Sequence, residues 1–154
     1  MRLKYFCLLG IVFFCLAAWL PKSFASSDTI KWYSYEEGVA KGKTEQKKIF
    51  IFFYTDWCGY CTKMKKTTLK ENSIVTCLDE NFISIMVNTD KKKKIGADFG
   101  VRGLPTCWFM SENGKKITNR PGYIPADQFL KVLKFINTDS YKKKTFKKFV
   151  EEMK

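Results

Sequence analysis

The chain has 154 residues, about one domain's worth, and its 28 Lys and Arg against 15 Asp and Glu give a formal charge of +13. Histidine is absent, which removes a His-paired nucleophile, an imidazole general base and His-ligated zinc or copper. The basic excess is mainly lysine without an Arg-rich, aromatic-interleaved pattern, so it reads as a solvated coat drawn to anionic surfaces or acidic partners and not as a nucleic-acid site.

Arg2 and Lys4 precede an apolar run from Tyr5 to Leu20, which ends at Pro21 and the small-residue approach Ser23-Phe24-Ala25-Ser26. A spanning helix wants about 20 apolar residues. The shorter run is therefore expected to be a secretory signal peptide, residues 1–25, cleaved after Ala25, with an uncleaved anchor as the alternative. Cleavage would remove Cys7 and Cys15 and leave 129 residues, four cysteines and a charge of +10, from 25 basic and 15 acidic residues.

Trp32 to Lys41 reads as a helix. Lys47 to Tyr54 is a nearly continuous apolar run, the pattern of a strand buried on both faces. It closes at Trp57-Cys58-Gly59-Tyr60-Cys61, and a Lys-rich helix is expected from about Cys58 to Lys70. Two cysteines thus sit where a strand meets a helix. Unpaired backbone N–H groups and the positive end of the helix dipole stabilise negative charge there, and C-x-x-C spacing lowers a cysteine pKa from about 8.5 to roughly 3.5–7.5. Cys58 is the expected nucleophile. Cys61, one turn on and less exposed, is expected to attack the mixed disulfide and release the product. Lys63, Lys65 and Lys66 would lower the Cys58 pKa and Asp56 would raise it.

Asn72-Ser73 is expected to cap a short helix through Leu78. Phe82 to Val87 reads as a second buried strand, and Asp90 to Asp98, with Lys91 to Lys94, as a solvated helix. Thr106 to Met110 and Lys115 to Thr118 flank Glu112-Asn113-Gly114, whose Asn-Gly pair signals a hairpin. Pro125 to Ile136 reads as an amphipathic helix. From residue 137 to 154, Phe146, Phe149, Val150 and Met153 fall at helical spacing on a basic background. This C-terminal helix would pack back on the domain, or dock on an anionic membrane face or an acidic partner.

Cys77 shares an apolar face with Ile74 and Leu78, and Cys107 lies in an expected core strand. Both would behave as small buried hydrophobes, or in an oxidising compartment would pair as a structural disulfide closing a loop of about 30 residues. The four cysteines do not form two close pairs, so a zinc site is not expected.

Phe53-Tyr54-Thr55-Asp56-Trp57-Cys58-Gly59-Tyr60-Cys61, then Asn88-Thr89-Asp90, then Phe99-Gly100-Val101-Arg102-Gly103-Leu104-Pro105-Thr106, then Gly122, occur in the order and spacing of the thioredoxin family, which the chain resembles from about Ile49 to Ile136. The resemblance implies an α/β thioredoxin fold, a central mixed β-sheet flanked by helices, for residues 26–136, with residues 137–154 as an extra C-terminal helix. It also implies a cis Pro105 lying against the Cys58 sulfur and a Leu104 backbone that meets substrate chains in strand-like hydrogen bonds. Trp57 and Tyr60 would add apolar surface for substrate, or merely pack the domain edge.

The implied activity is thiol-disulfide exchange through Cys58 and Cys61, with no cofactor beyond the redox pair and no metal. The partners would be protein thiols and disulfides and an upstream membrane electron donor. The family's buried acid is replaced by Phe52 and its lysine partner by Met86, which places the chain nearer the exported, periplasmic branches. Gly59-Tyr60 resembles the dipeptide of the periplasmic isomerase and lacks a thiolate-holding His. A reductase is the first expectation, an isomerase or oxidase the second, and a redox-inactive peptide-binding module or chaperone the reading from another class.

Overall fold

The structure is a computed structural model that describes residues 29–153; the expected signal peptide, apart from its consequences for composition, lies outside the described residues. The elements in chain order are β1 (Trp32–Tyr33), α1 (Tyr35–Glu45), β2 (Lys48–Tyr54), α2 (Gly59–Lys66), a 3-10 turn (Thr68–Lys70), α3 (Asn72–Asn81), β3 (Phe82–Asn88), α4 (Lys93–Asp98), β4 (Thr106–Met110), β5 (Lys116–Pro121), α5 (Ala126–Asn137), a 3-10 turn (Ser140–Lys142) and α6 (Phe146–Glu151). They build a thioredoxin fold.

The sheet order is β1-β3-β2-β4-β5. β1, β3 and β2 run parallel, and β4 and β5 return antiparallel, so the sheet is mixed. The apolar run of β2 is explained by its central position, because alternate side chains serve two separate cores. Phe50 and Phe52 join Cys107, Phe109 and Phe129 on one face. Ile49, Ile51 and Phe53 join Ile83, Ile85, Val87 and Phe99 on the other. Helix α1 covers the second face at close range: a Cβ on Gly38 would fall 2.6 Å from Ile85 Cδ1, and one on Gly42 2.7 Å from Ile49 Cγ1.

Several boundaries differ from the sequence-based expectation. Trp32 and Tyr33 form a strand, paired with Ser84 and Ile85, and not the first turn of a helix. Helix α1 begins only after Ser34, whose Oγ accepts the Glu37 N–H at 3.3 Å. The active-site helix stops at Lys66, because Thr67 leaves helical geometry at φ −114°, ψ −85°, and the chain continues as a 3-10 turn. Glu71 occupies the N-cap of α3 without a side-chain bond, and the helix runs on to Asn81. In the hairpin, Ser111 and Gly114 close the turn, with Gly114 at φ 79°, and β5 extends to Pro121.

The C-terminal segment is not one helix from residue 137. Asp139, at φ 56°, turns the chain after α5, and α6 restarts behind Thr145, whose Oγ1 accepts the Lys148 N–H at 3.3 Å. Phe146 and Phe149 bring their rings 5.4 and 5.2 Å from Phe135, the Arg120 guanidinium sits 5.2 Å over Phe146, and Lys144 pairs with Glu152. The two phenylalanines of this segment therefore face the domain. Among the described residues, no helix is long and apolar enough to cross a membrane.

Candidate active site

Strand β2 delivers the chain to the site. After Tyr54 the backbone leaves the sheet, and Cys58 becomes the N-cap of α2 with extended geometry at φ −77°, ψ 104°. Its sulfur accepts the Cys61 N–H at 3.1 Å. An N-cap position aims unpaired backbone N–H groups at whatever sits on the cap, and here that atom is a sulfur able to carry negative charge. Helix α2 has no acid in its first turn, and Lys63, Lys65 and Lys66 lie in its last turn, where they oppose the negative end of the dipole.

Cys58 and Cys61 are joined by a disulfide, with Cα atoms 5.2 Å apart. Cys58 keeps 6% of its surface exposed and Cys61 none, so an external sulfur reaches Cys58 first. Both lie in the core cluster that contains Phe52 and Met64. Phe52 pairs in register with Met86 on one side and Cys107 on the other. The layer that holds the disulfide is therefore apolar, and among the described residues its buried members include no carboxylate.

Trp57 and Tyr60 are 75% and 65% exposed, too open to be core side chains, so they shape the rim around the disulfide. The Trp57 ring is not loose. Its Nε1–H donates to Asp90 Oδ2 at 2.9 Å. Asn88 at the end of β3 organises this corner: its Nδ2–H donates to Asp56 Oδ2 at 3.1 Å, and its Oδ1 accepts the Asp90 N–H at 3.0 Å. Lys91 Nζ lies 3.9 Å from the same Asp56 oxygen.

The Leu104–Pro105 peptide bond is cis. Leu104 lines a groove with Trp57, Cys58, Thr89 and the Val101–Gly103 segment. The loop is anchored by Thr106 Oγ1–H to Gly103 O at 2.7 Å and by Gly122 N–H to Pro105 O at 2.7 Å. Gly122 adopts φ 90°, a left-handed backbone that favours glycine. It hands the chain to Tyr123, whose ring lies 6.5 Å from that of Tyr60 and 4.8 Å from Lys63 Nζ. Hydrogen bonding with Thr67 and Thr68 and the nearby Lys63 hold the Tyr123 phenol below its ordinary pKa, against a smaller opposing effect of desolvation.

Thus Trp57, Cys58, Tyr60, Cys61, Leu104 and Pro105 gather at one end of the sheet. Sequence reasoning assigned no role to Asp90, Asn88, Arg102 or Tyr123. Asp90 and Asn88 sit at the end of the strand beside β2, and parallel pairing through Tyr54↔Asn88 carries them to the disulfide. Tyr123 could have been sought one residue after Gly122.

Cys77 and Cys107 are not brought together, and the structural disulfide considered for them does not form: both are free thiols. Cys107 points from β4 into the core beneath the helices, whereas Cys77 lines an outer groove between α3 and α5 with Leu130 and Lys134. Burial raises both thiol pKa values, strongly for Cys107; at Cys77 Lys134 opposes this and Glu80 adds to it. Among the described residues, no group of three or more His, Cys, Asp or Glu is placed to hold a metal ion.

A family model described as a thioredoxin-like domain matches residues 35–137. The chain is 30% identical over 92 residues to the thiol:disulfide interchange protein DsbD of Actinobacillus pleuropneumoniae, covering 56% of this chain and 16% of that protein. It is 33% identical over 88 residues to a protein disulfide-isomerase of Datisca glomerata, covering 56% and 17%. The chain thus spans about a sixth of the length of these two relatives. Among solved structures, a thioredoxin from Thermus thermophilus superposes with a TM-score of 0.65 at 23% identity, over 70% of this chain and 87% of that one; that likeness concerns the fold.

Proposed function

The chain belongs to the thioredoxin-like domain family of thiol-disulfide oxidoreductases, and from that premise we propose that Cys58 and Cys61 reduce disulfides of exported proteins. In the reduced form, the Cys58 thiolate attacks one sulfur of a substrate disulfide. The substrate S–S bond breaks, its other sulfur leaves with the electron pair and takes up a proton, and a Cys58 mixed disulfide forms. Cys61 then loses its proton and attacks the Cys58 sulfur, which releases the second substrate thiol and regenerates the Cys58–Cys61 disulfide. The substrate gains two electrons and two protons, and the domain is left oxidised. An upstream dithiol, held by a membrane electron donor, would restore it.

The observation that carries this reading is the disulfide at the helix cap, with Cys58 reachable and Cys61 sealed. With Phe52 and Met86 in the buried layer, the Cys61 proton goes to water or to the departing thiolate and not to an internal acid. Leu104 offers its backbone to an extended substrate, and Trp57 and Tyr60 cover it with apolar surface. The reducing direction is favoured because a chain with no histidine cannot hold the Cys58 thiolate with an imidazolium. Export rests on the pattern of residues 1–25, followed by an exchange domain over residues 26–136 and a basic tail over 137–154. Lys142 and Lys144 of the tail are paired with Asp139 and Glu152, and the exposed Lys143, Lys147 and Lys148 would face an anionic membrane or an acidic partner.

Insulin reduction by the mature chain tests the activity, with Cys58→Ser as control. Equal, background turbidity in both would remove the enzymatic reading and leave a peptide-binding module. Thiol alkylation in the native host tests direction: a mainly reduced Cys58–Cys61 pool is expected of a reductase, and a mainly oxidised pool would instead indicate an oxidase.

A further inference from the structure

Resting on the exchange chemistry above, we propose that the rim of the Cys58 groove is a cationic slot that selects protein cysteines flanked by acidic side chains, with Lys63 and Arg102 as its specificity-determining residues. The charges at the rim are not equivalent. Asp56 accepts from Asn88 at 3.1 Å and has Lys91 3.9 Å away, whereas Asp90, among the described residues, accepts only from the neutral Trp57 indole at 2.9 Å and keeps its charge. Against that one uncompensated carboxylate stand two cations. Arg102 and Lys63 are both exposed, and among the described residues neither joins an ion pair.

They stand at different parts of the rim. Arg102 lines the groove that contains Cys58 and Trp57. Lys63 lies 4.8 Å from the Tyr123 ring, which is 6.5 Å from the exposed Tyr60 ring, and Gly122, just before Tyr123, donates its N–H to Pro105 O. Helix α2 adds Lys66, and Lys65 lies 4.3 Å over the Tyr54 ring, while the helix itself contains no acid. An extended peptide whose cysteine meets Cys58 therefore places its flanking residues among unpaired cations and exposed aromatic rings. Clefts lined by one sign of charge raise the on-rate of oppositely charged ligands by roughly 10 to 10³, and the effect falls steeply with salt.

The test uses the reduced mature chain carrying Cys61→Ser, so that mixed disulfides persist, and Cys77→Ser, so that the other partly exposed thiol is absent. Two peptides of equal length carry a central cysteine as a mixed disulfide with nitrothiobenzoate, flanked by Glu in one and Lys in the other. The Cys58 thiolate attacks the peptide sulfur, the S–S bond breaks, and nitrothiobenzoate, the better leaving group, departs with the electron pair and is read by its colour. At low salt the acidic peptide is expected to react about tenfold faster than the basic one, and the ratio is expected to shrink toward about two near 0.5 M salt.

Lys63→Gln with Arg102→Gln should remove most of the preference. The same charge change at the far end of the sheet, Lys43→Gln with Lys115→Gln, should retain it, because Lys43 precedes the start of β2 and Lys115 sits in the turn beyond Met110, the partner of Ile49. A ratio near one, or equal loss in both double variants, would overturn the slot and leave the exchange chemistry standing. Failure of both peptides to release nitrothiobenzoate would overturn the exchange chemistry itself, and the slot with it.

Discussion

Trp57 and Asp90 are 33 residues apart in the chain, yet the indole N–H meets the carboxylate at 2.9 Å. Asn88 closes the loop by holding the Asp90 N–H and the Asp56 carboxylate on the same amide. A ring that is 75% exposed is thereby fixed beside the disulfide by a polar tether, since packing alone cannot fix so open a side chain.

Removing that tether should reduce exchange without unfolding the domain. Asp90→Ala is expected to slow insulin reduction by between about two- and tenfold, the span corresponding to one net hydrogen bond. Asp90→Asn, which keeps an accepting oxygen, should retain most of the rate. Unchanged turnover in Asp90→Ala would show that the ring's orientation has no bearing on the reaction.

The two free thiols should differ in behaviour. Burial holds the folded Cys107 thiol protonated far above the ordinary value, whereas the unfolded thiol ionises near about pH 8.5. Below that pH both states keep the proton and the contribution to stability is complete; above it only the unfolded chain gains by ionising, so stability falls as pH rises. For the oxidised protein, the loss from Cys107 should reach about 2 kcal/mol by pH 10. Urea midpoints measured from pH 7 to pH 10 should show this decline, and Cys107→Ala should make it shallower while lowering stability throughout, with the Cys77 share of the decline remaining. Alkylation in native buffer should label Cys77 more slowly than a free cysteine and Cys107 only on unfolding.

Phe52→Asp would place a carboxyl at a fully buried position between Met86 and Cys107. An uncompensated buried charge costs about 3–5 kcal/mol, so the oxidised variant should show a correspondingly lower urea midpoint. Adding Met86→Lys, the in-register neighbour, should recover part of the loss. A single variant as stable as the parent would mean that the layer under Cys61 is wetter than the geometry shows.

Gly38→Ala sets helix propensity against packing. Alanine favours the helix by about 1 kcal/mol over glycine, but its methyl would overlap the Ile85 side chain. Overpacking of a tight core costs about 1–3 kcal/mol. We expect net destabilisation in urea, relieved when Ile85→Val is added; a more stable single variant would show that α1 can lift from β3 without penalty.

Much of this protein was legible locally. The run Lys47 to Tyr54 reads as a strand buried on both faces, which the structure realises as Lys48–Tyr54, and the two cysteines fall on one face of a helix start, because alternation and helical pitch act over a few residues. Even there, boundaries slipped where a side chain had two options. Ser34 capped α1 and released Trp32 and Tyr33 to the sheet, and Thr67 broke the active-site helix.

What tertiary structure alone decided were pairings across distant segments: Trp57 with Asp90, Tyr123 with Lys63 beside Pro105, and Phe149 with Phe135. The fate of Cys77 and Cys107 belongs with them. Nothing in their spacing says that one faces an outer groove while the other lies under the helical layer, because strand order and helix packing set that separation. A sequence specifies the period of its elements through short-range sterics, whereas the partners of an exposed ring, a lone cation or a thiol depend on how the elements meet.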